Sequence, residues 1–406
     1  IVERHITLDR TMDGPDHAAS LEPHGFRKMV RDIRQISSAL GTGEEKYISR
    51  GEILNREVLG KSLVATRRIE SGEVIEPNMV TVKGPALGVS PQHYHDLIGR
   101  KVGRVIEEDE PFMDKDLGVE FKLDLEQILP MEWGFTVRFR DFHELLVYQP
   151  KLLEFHFTDQ DLDEEYPGGD YDLKLVVHAP EFFERTLVDL CSQDELQRSQ
   201  SVALIQKSIN LTREIAPHFN GKPKIVVHTG GASLDHPIDD REALYNNLLR
   251  SVEELDYEDV ELLLENLPPH PWCFGGQWLT NAFMDAYEIR DFITPLGLKM
   301  CFDTSHSKLY CNWAHVDFHE QVRVLLPYID HLHLSDGAGL DGEGLQVGEG
   351  TIDWVHFFEV IGAGEPDGYH GTMIPEIWRG HQREGEGFRI AIHRLSEAYF
   401  KAVKNS

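Results

Sequence analysis

The chain has 406 residues, 41% of them hydrophobic and 27% charged, the balance of a soluble globular protein with more than one core. Its 70 acidic against 40 basic residues give a formal net charge of −30, which repels a phosphate backbone and speaks against nucleic acid as a partner. No run of about 18 apolar residues occurs, so no membrane partner is expected. Four cysteines, Cys191, Cys273, Cys301 and Cys311, form no CxxC and read as reduced thiols of a cytoplasmic protein. The chain opens on IVERHITLDR, with Ile rather than Met and no signal-peptide core, and is expected to be part of a longer polypeptide.

Residues 1–42 hold an apolar run, IVERHITL, a turn-like DGPDH, and ASLEPHGFRKMVRDIRQISSALG. The first predicts a strand. The last predicts a helix with Ser20 as N-cap, Pro23 in its first turn and Gly41 after its end. One strand and one helix cannot make a core, so they read as the tail of a larger domain. Residues 50–119 consist of short apolar pieces broken by Ser-Gly, Pro-Asn and Gly-Pro, the texture of a small β-rich module. An acidic connection, VEFKLDLEQILPMEW, follows.

From Gly134 onward, strand-like runs alternate with amphipathic ones. The strands are GFTVRF, LLEFHFT, LKLVVHAP, KIVVHTGG, VELLLENL, LKMCFDTSH, HLHLSD and TMIPEIW. Eight β/α units within residues 132–404 predict the α/β class and a closed (β/α)8 TIM barrel, with an open doubly wound sheet as the alternative. Between the second and third runs, HFTDQDLDEEYPGGDYD reads as a solvated acidic loop.

The last polar residues of six consecutive runs are His178, His228, Glu265, Asp303 with His306, His333 and Glu376. In a barrel these strand ends converge on the C-terminal face. Buried ionisable groups are costly unless paired or bound to metal, so the pattern predicts a divalent metal site. Imidazole and carboxylate donors suit Zn, Mn, Fe or Co ions.

The endings HAP, HTGG, EN, DTSH, HLSD and PE resemble the xylose-isomerase-like barrel superfamily, over roughly residues 132–404. The resemblance implies that Glu265, Asp303, His333 and Glu376 hold one metal ion. It also implies that Glu265 and Glu376 act as acid/base groups on opposite faces of a sugar. His178 and His228 match positions that, with the fifth-strand Glu, hold another zinc in the AP endonuclease branch, so a second ion is possible. That branch also needs a histidine in the loop after the seventh strand. The loop here reads GAGLDGEGLQVGEG, with Asp341 and Glu343 but no histidine, so DNA repair is not expected. The GAGLDG in it is a formal GxGxxG without a following helix; it reads as a mobile substrate-covering loop, and no nucleotide cofactor is expected. Arg138 and Arg140 after the first strand, and Arg379, His381 and Arg383 after the eighth, are candidates for gripping an anionic substrate.

IVERHITLDRTMDGPDHAASLEP resembles the end of the catalytic barrel of sialic acid (N-acylneuraminate) synthases. That resemblance implies a metal-ligand role for His5. SLVA, SGEVI, MVTVK and LIGRK resemble the antifreeze-like (SAF) domain of the same enzymes, where a homodimer is formed; the family's common Arg is replaced by Gly84. Together the resemblances imply a metal-dependent sugar or sugar-phosphate isomerase or epimerase fused to part of a sialic acid synthase, in the biosynthesis of nonulosonic acids or related surface carbohydrates. Proton transfer through an enediolate would be its chemistry, and the synthase activity would require the full-length protein. A non-catalytic sugar-binding barrel or a metal-dependent dehydratase is the alternative reading.

Overall fold

The computed structural model describes residues 1–40, 50–118 and 121–405. The chain forms two compact units, residues 1–47 and residues 48–406.

The first unit is small. IVERHITL does not form a strand: Ile6 makes a single parallel bridge to Leu21, because no neighbouring strand is present to extend the ladder. The predicted helix runs Pro23–Leu40 and buries none of its residues within the unit. Ser20 does not cap it through its hydroxyl, which donates instead to the carbonyl of Asp16 (2.6 Å). Gly41 lies outside the described residues.

In the second unit the chain starts with a helix, Arg50–Leu59, which the turn-rich texture of this region does not announce. The β-rich module follows. Its strands Ser62–Ala65 and Val80–Lys83 pair antiparallel, and isolated bridges such as Ile69–Ile106 close the remaining turns. Leu63, Ile69, Ile75, Leu97, Ile106 and Phe112 are buried in a core of its own.

The largest part is a closed barrel of eight parallel strands: β1 Glu132–Val137, β2 Leu152–His156, β3 Lys174–His178, β4 Asn220–His228, β5 Glu261–Glu265, β6 Lys299–Asp303, β7 Ile329–Leu334 and β8 Thr372–Pro375. Each predicted run supplies one strand. The runs are almost continuously apolar because both faces are covered, which is the signature of parallel strands. Phe135, Phe155, Val177, Val227, Leu264, Phe302 and Leu332 face outward into the helix-covered core. Leu152, Val176, Val226, Leu263, Cys301 and Ile374 face inward and plug the barrel. Full burial of such a side chain contributes about 1.5–3 kcal/mol.

Aspartates start most of the covering helices. Asp194, Asp240, Asp285, Asp303, Asp317 and Asp353 each accept a backbone N–H of the first turn. The β2–β3 connection departs from the ideal repeat. It carries only a short 3-10 turn, Asp161–Asp163, since Pro167, Gly168, Gly169 and the acidic run oppose a helix. The loop after β7 closes into a hairpin, Asp336–Ala338 against Gly342–Leu345, rather than remaining open. Asp336 anchors it: one carboxylate oxygen accepts N–H groups from Gly337 and Ile352, the other from Gly348 and the Trp354 indole.

Candidate metal centre

Alternation along each strand sets the floor of the site. Two residues beyond the apolar plug, the inward positions become ionisable: Glu154 after Leu152, His178 after Val176, His228 after Val226, Glu265 after Leu263, Asp303 after Cys301 and Glu376 after Ile374. On β7 both inward positions are histidines, His331 and His333. Ligand atoms of Glu265, Asp303, His333 and Glu376 all lie within 4.8 Å of one another.

Glu265 is the hub. Its Oε2 lies 3.3 Å from His178 Nε2 and 3.4 Å from His228 Nε2, and its Oε1 lies 3.4 Å from both His306 Nδ1 and His333 Nδ1. His333 Nδ1 is also 2.8 Å from Glu376 Oε2. Asp303 Oδ1 caps the helix that follows β6, accepting the N–H of His306 (2.6 Å) and the hydroxyl of Ser305 (2.9 Å). His178 and His306 each turn Nδ1 toward a backbone carbonyl, of Ala179 and Asn266, at 2.9 Å. A donated Nδ1–H leaves Nε2 of a neutral imidazole with its lone pair toward the site, the usual arrangement of a ligating histidine.

The electrostatics are those of opposite charges forced together in a dry place. Burial opposes ionisation of Glu265, yet His333 and His228 hold its carboxyl well below the usual range. Burial likewise opposes the charge on Glu376, but His333 beside it brings its pKa to about 2. Asp303 moves the other way, to about 7, through burial and the negative charges of Glu376 and Glu265, against the pull of His306. For His178 burial is overcome by Glu265, raising it to about 9. His333 is disfavoured as a cation by burial, but Cys301, Glu154, Glu376 and Glu265 keep it well above the ordinary histidine value.

Two buried atoms test whether a cation fits. Glu265 Oε1 and His333 Nδ1 make no hydrogen bond of acceptable geometry among the described residues, although they face each other across the cluster. Orphaned buried donors and acceptors are uncommon unless an ion or water completes them. The donor set, two glutamates, an aspartate and an imidazole, is one that divalent transition metals accept. The residues fit the group. A second set, His178, Glu181 and His228, also brings ligand atoms within 4.8 Å of one another.

Above the cluster opens a cavity of about 640 Å3, walled by Phe182, Trp272 and Trp378 and reached by His156, Asp303, His306, Glu343 and Glu376. Glu265 is fully buried beneath the lining, whereas Glu376 forms part of it. The predicted arginines divide. Arg138 and Arg379 line the cavity with His381, and Arg138 also pairs with Asp161 at 3.2 Å. Burial, with Arg138, Arg140 and Arg379 nearby and against Asp141, lowers the pKa of His381. Arg140 is 81% exposed at its side chain and lies outside the cavity lining. Arg383 turns away to the β-rich module, pairing with Asp114 and with Glu386 (3.3 Å). His5, in the first unit, lies 3.9 Å from Asp16, and none of the metal-capable groups found among the described residues includes it.

Glu154, His156, His331 and Glu181 were not singled out from the sequence. Taking the last polar residue of each run passes over them, whereas LLEFH and HLHL each carry two ionisable residues at alternate positions. The alternation itself was the signal.

Comparison with known proteins bears on both halves of the chain. The family model described as a xylose isomerase-like TIM barrel matches residues 168–398, that of the NeuB family residues 1–45, and that of the SAF domain residues 60–118. The N,N'-diacetyllegionaminic acid synthase of Campylobacter jejuni subsp. jejuni serotype O:2 is 41% identical over 110 residues, 27% of this chain and 33% of that protein. The N-acetylneuraminate-9-phosphate synthase of Homo sapiens is 41% identical over 116 residues, 28% of this chain and 32% of that protein. The chain thus spans about a third of the length of these curated relatives. Among solved structures, a D-tagatose 3-epimerase-like protein superposes with a TM-score of 0.50 at 19% identity, covering 67% of this chain and all of that one, a likeness of fold.

Proposed function

This chain belongs to the xylose isomerase-like TIM barrel family, and on that premise we propose that its barrel is a divalent-metal-dependent sugar isomerase or epimerase. We place its work beside that of the NeuB-type and SAF segments, in the biosynthesis of sialic-acid-type sugars. The carrying observation is the convergence of Glu265, Asp303, His333 and Glu376, with Glu265 Oε1 and His333 Nδ1 left without hydrogen bonds among the described residues.

In this reading those four residues hold the ion. An ion bound there would stabilise, as a Lewis acid, the negative charge of an enediolate. The protein's own groups do the rest. Glu376, on the cavity wall and ionised, is the base that removes a proton from the carbon beside a sugar carbonyl. Delivery of that proton to the neighbouring carbon isomerises the sugar; inversion of the carbon takes a proton from its opposite face, the part assigned to Glu265. Glu265, beneath the wall, keeps His178, His228 and His333 gathered around one negative charge. Arg138, Arg379 and His381 supply donors for a phosphate or carboxylate of the substrate. The aromatic walls exclude water and suit the apolar face of a sugar ring.

The test is the metal content of the purified protein, measured by mass spectrometry beside His333→Ala and Glu376→Gln, followed by a screen of phosphorylated and N-acylated sugars. About one or two ions per chain, lost or much reduced in the variants, supports the reading. No binding after reconstitution with Mn2+, Zn2+ and Co2+ removes the isomerase mechanism and leaves a sugar-binding barrel.

A further inference from the structure

Beside the candidate ligands lies a further buried carboxylate that the proposed chemistry does not use. Glu154, on β2, has none of its surface exposed. Its Oε1 is 2.7 Å from His156 Nε2 and 3.0 Å from His333 Nε2, and its Oε2 is 2.5 Å from His331 Nε2. An ionised carboxylate only accepts, so all three nitrogens carry protons toward it.

What stands behind His331 favours the same direction. Its Nδ1 is 2.7 Å from Thr372 Oγ1, and that hydroxyl is 3.0 Å from Lys224 Nζ. An ammonium can only donate. The hydroxyl therefore accepts from Lys224. Of the two acceptors for its single proton, His331 Nδ1 at 2.7 Å and the Asp330 carbonyl at 3.4 Å, the nearer is Nδ1, which leaves Nε2 as the protonated nitrogen of a neutral His331 facing Glu154. Lys224 is itself held by the carbonyl and the carboxylate of Asp330, each at 2.7 Å. The bonds that Glu154 accepts from His331 and His333 thus run in the same sense, from imidazole to carboxylate.

We propose that Glu154 is a positioning residue which, backed by Lys224, Thr372 and His331, keeps a proton on Nε2 of His333 and so presents Nδ1 to the space shared with Glu265 and Glu376. The functional meaning rests on the metal reading above; the proton placement does not. A buried carboxylate that merely filled space would be indifferent to which nitrogen of His333 faced the site. Here His333 meets Glu154 through Nε2 and the candidate ligand cluster through Nδ1.

The experiment uses the full chain labelled with 15N-histidine. Long-range proton–nitrogen spectra are recorded zinc-free and zinc-loaded, with His333→Gln identifying the His333 signals and a chelator competition giving the zinc affinity. The expected result is a protonated Nε2 on His333 in both states, with zinc shifting Nδ1 alone. Glu154→Gln should move the His333 proton and weaken zinc binding about 10–100-fold at an unchanged circular dichroism spectrum. Thr372→Val should alter the His331 signals and weaken zinc less, and with the wild-type spectra it decides the matter if Glu154→Gln does not fold. A bare Nε2 on His333 in the wild type, zinc bonded to Nε2, or a folded Glu154→Gln with unchanged spectrum and affinity would each overturn the proposal. A wild type that binds no zinc would remove the metal reading, while its spectrum would still decide the proton placement.

Discussion

Two layers inside the barrel, one residue pair apart on the same strands, behave in opposite ways. The lower layer of Leu152, Val176, Val226, Leu263, Cys301 and Ile374 is apolar, and on β7 the ionisable His331 stands level with Cys301. The upper layer puts Glu154, His178, His228, Glu265, Asp303 and Glu376 on the next inward positions. Fold alone accounts for the lower layer. The upper one contains groups whose burial opposes folding unless each finds a partner, so it is explained by what it holds. Within it, the imidazoles of His178, His228, His306 and His333 gather around the Glu265 carboxylate, and that mutual pairing makes the layer tolerable.

The contrast can be broken most strongly at β8, where the two layers are neighbours. Glu376→Gln should lower turnover on whichever sugar the screen identifies by about 10^2–10^4-fold, with the urea midpoint unchanged or raised. A mutant that unfolds instead would make the upper layer structural. Two residues earlier, Ile374→Ala should cost about 2–5 kcal/mol in urea denaturation while metal stoichiometry is retained. If stability held and metal were lost, the division between layers would be wrong.

A buried carboxylate without an imidazole sharpens the point. Asp189 accepts N–H groups from Cys191 (2.9 Å) and Gly231 (2.8 Å), and burial, against those hydrogen bonds, raises its pKa to about 6. Its folded value lies above the unfolded one, near 3.8, so the folded state binds the proton more tightly. Its stabilising contribution is therefore complete below about pH 4 and is lost as pH rises to about 6, a fall of about 2–3 kcal/mol at most. Denaturation of Asp189→Asn and wild type across that window should show the slope reduced in the variant. Equal slopes would assign the pH dependence elsewhere. The smallest effect belongs to charge that water already screens. Arg383→Ala, which removes the pair with Asp114, should change stability by about 0–1 kcal/mol, read as a small shift in thermal midpoint. A larger loss would mean that the β-rich module and the barrel depend on that contact.

Much of this was legible in the sequence. The eight strands announced themselves because strands covered on both faces are continuously apolar, and the strand-end residues followed from strand direction alone. Glu154 was hidden because it sits inside LLEFHFT rather than at its end, and His331 because it sits one alternation below His333. Arg383 misled because closeness in sequence to Arg379 says nothing about direction: left-handed backbone at Arg383, Glu384 and Gly385 turns the chain toward the module. The missing helix between β2 and β3 was foreshadowed by its Pro-Gly-Gly, yet the count of eight repeats implied a helix there.

The anchoring of Asp336 carries a consequence for anyone who would redesign this protein. Because its carboxylate is fully engaged by four donors of its own loop, the hairpin's base is fastened independently of its tip. The tip, Gly339–Asp341, is tethered where the Gly339 carbonyl accepts from the Asn312 amide (2.8 Å), and its Leu340 is exposed, whereas Glu343 and Gly344 of the same hairpin line the cavity. A library randomised at Leu340 should yield mostly folded barrels, whereas Asp336→Ala should yield few, counted by retained thermal transitions.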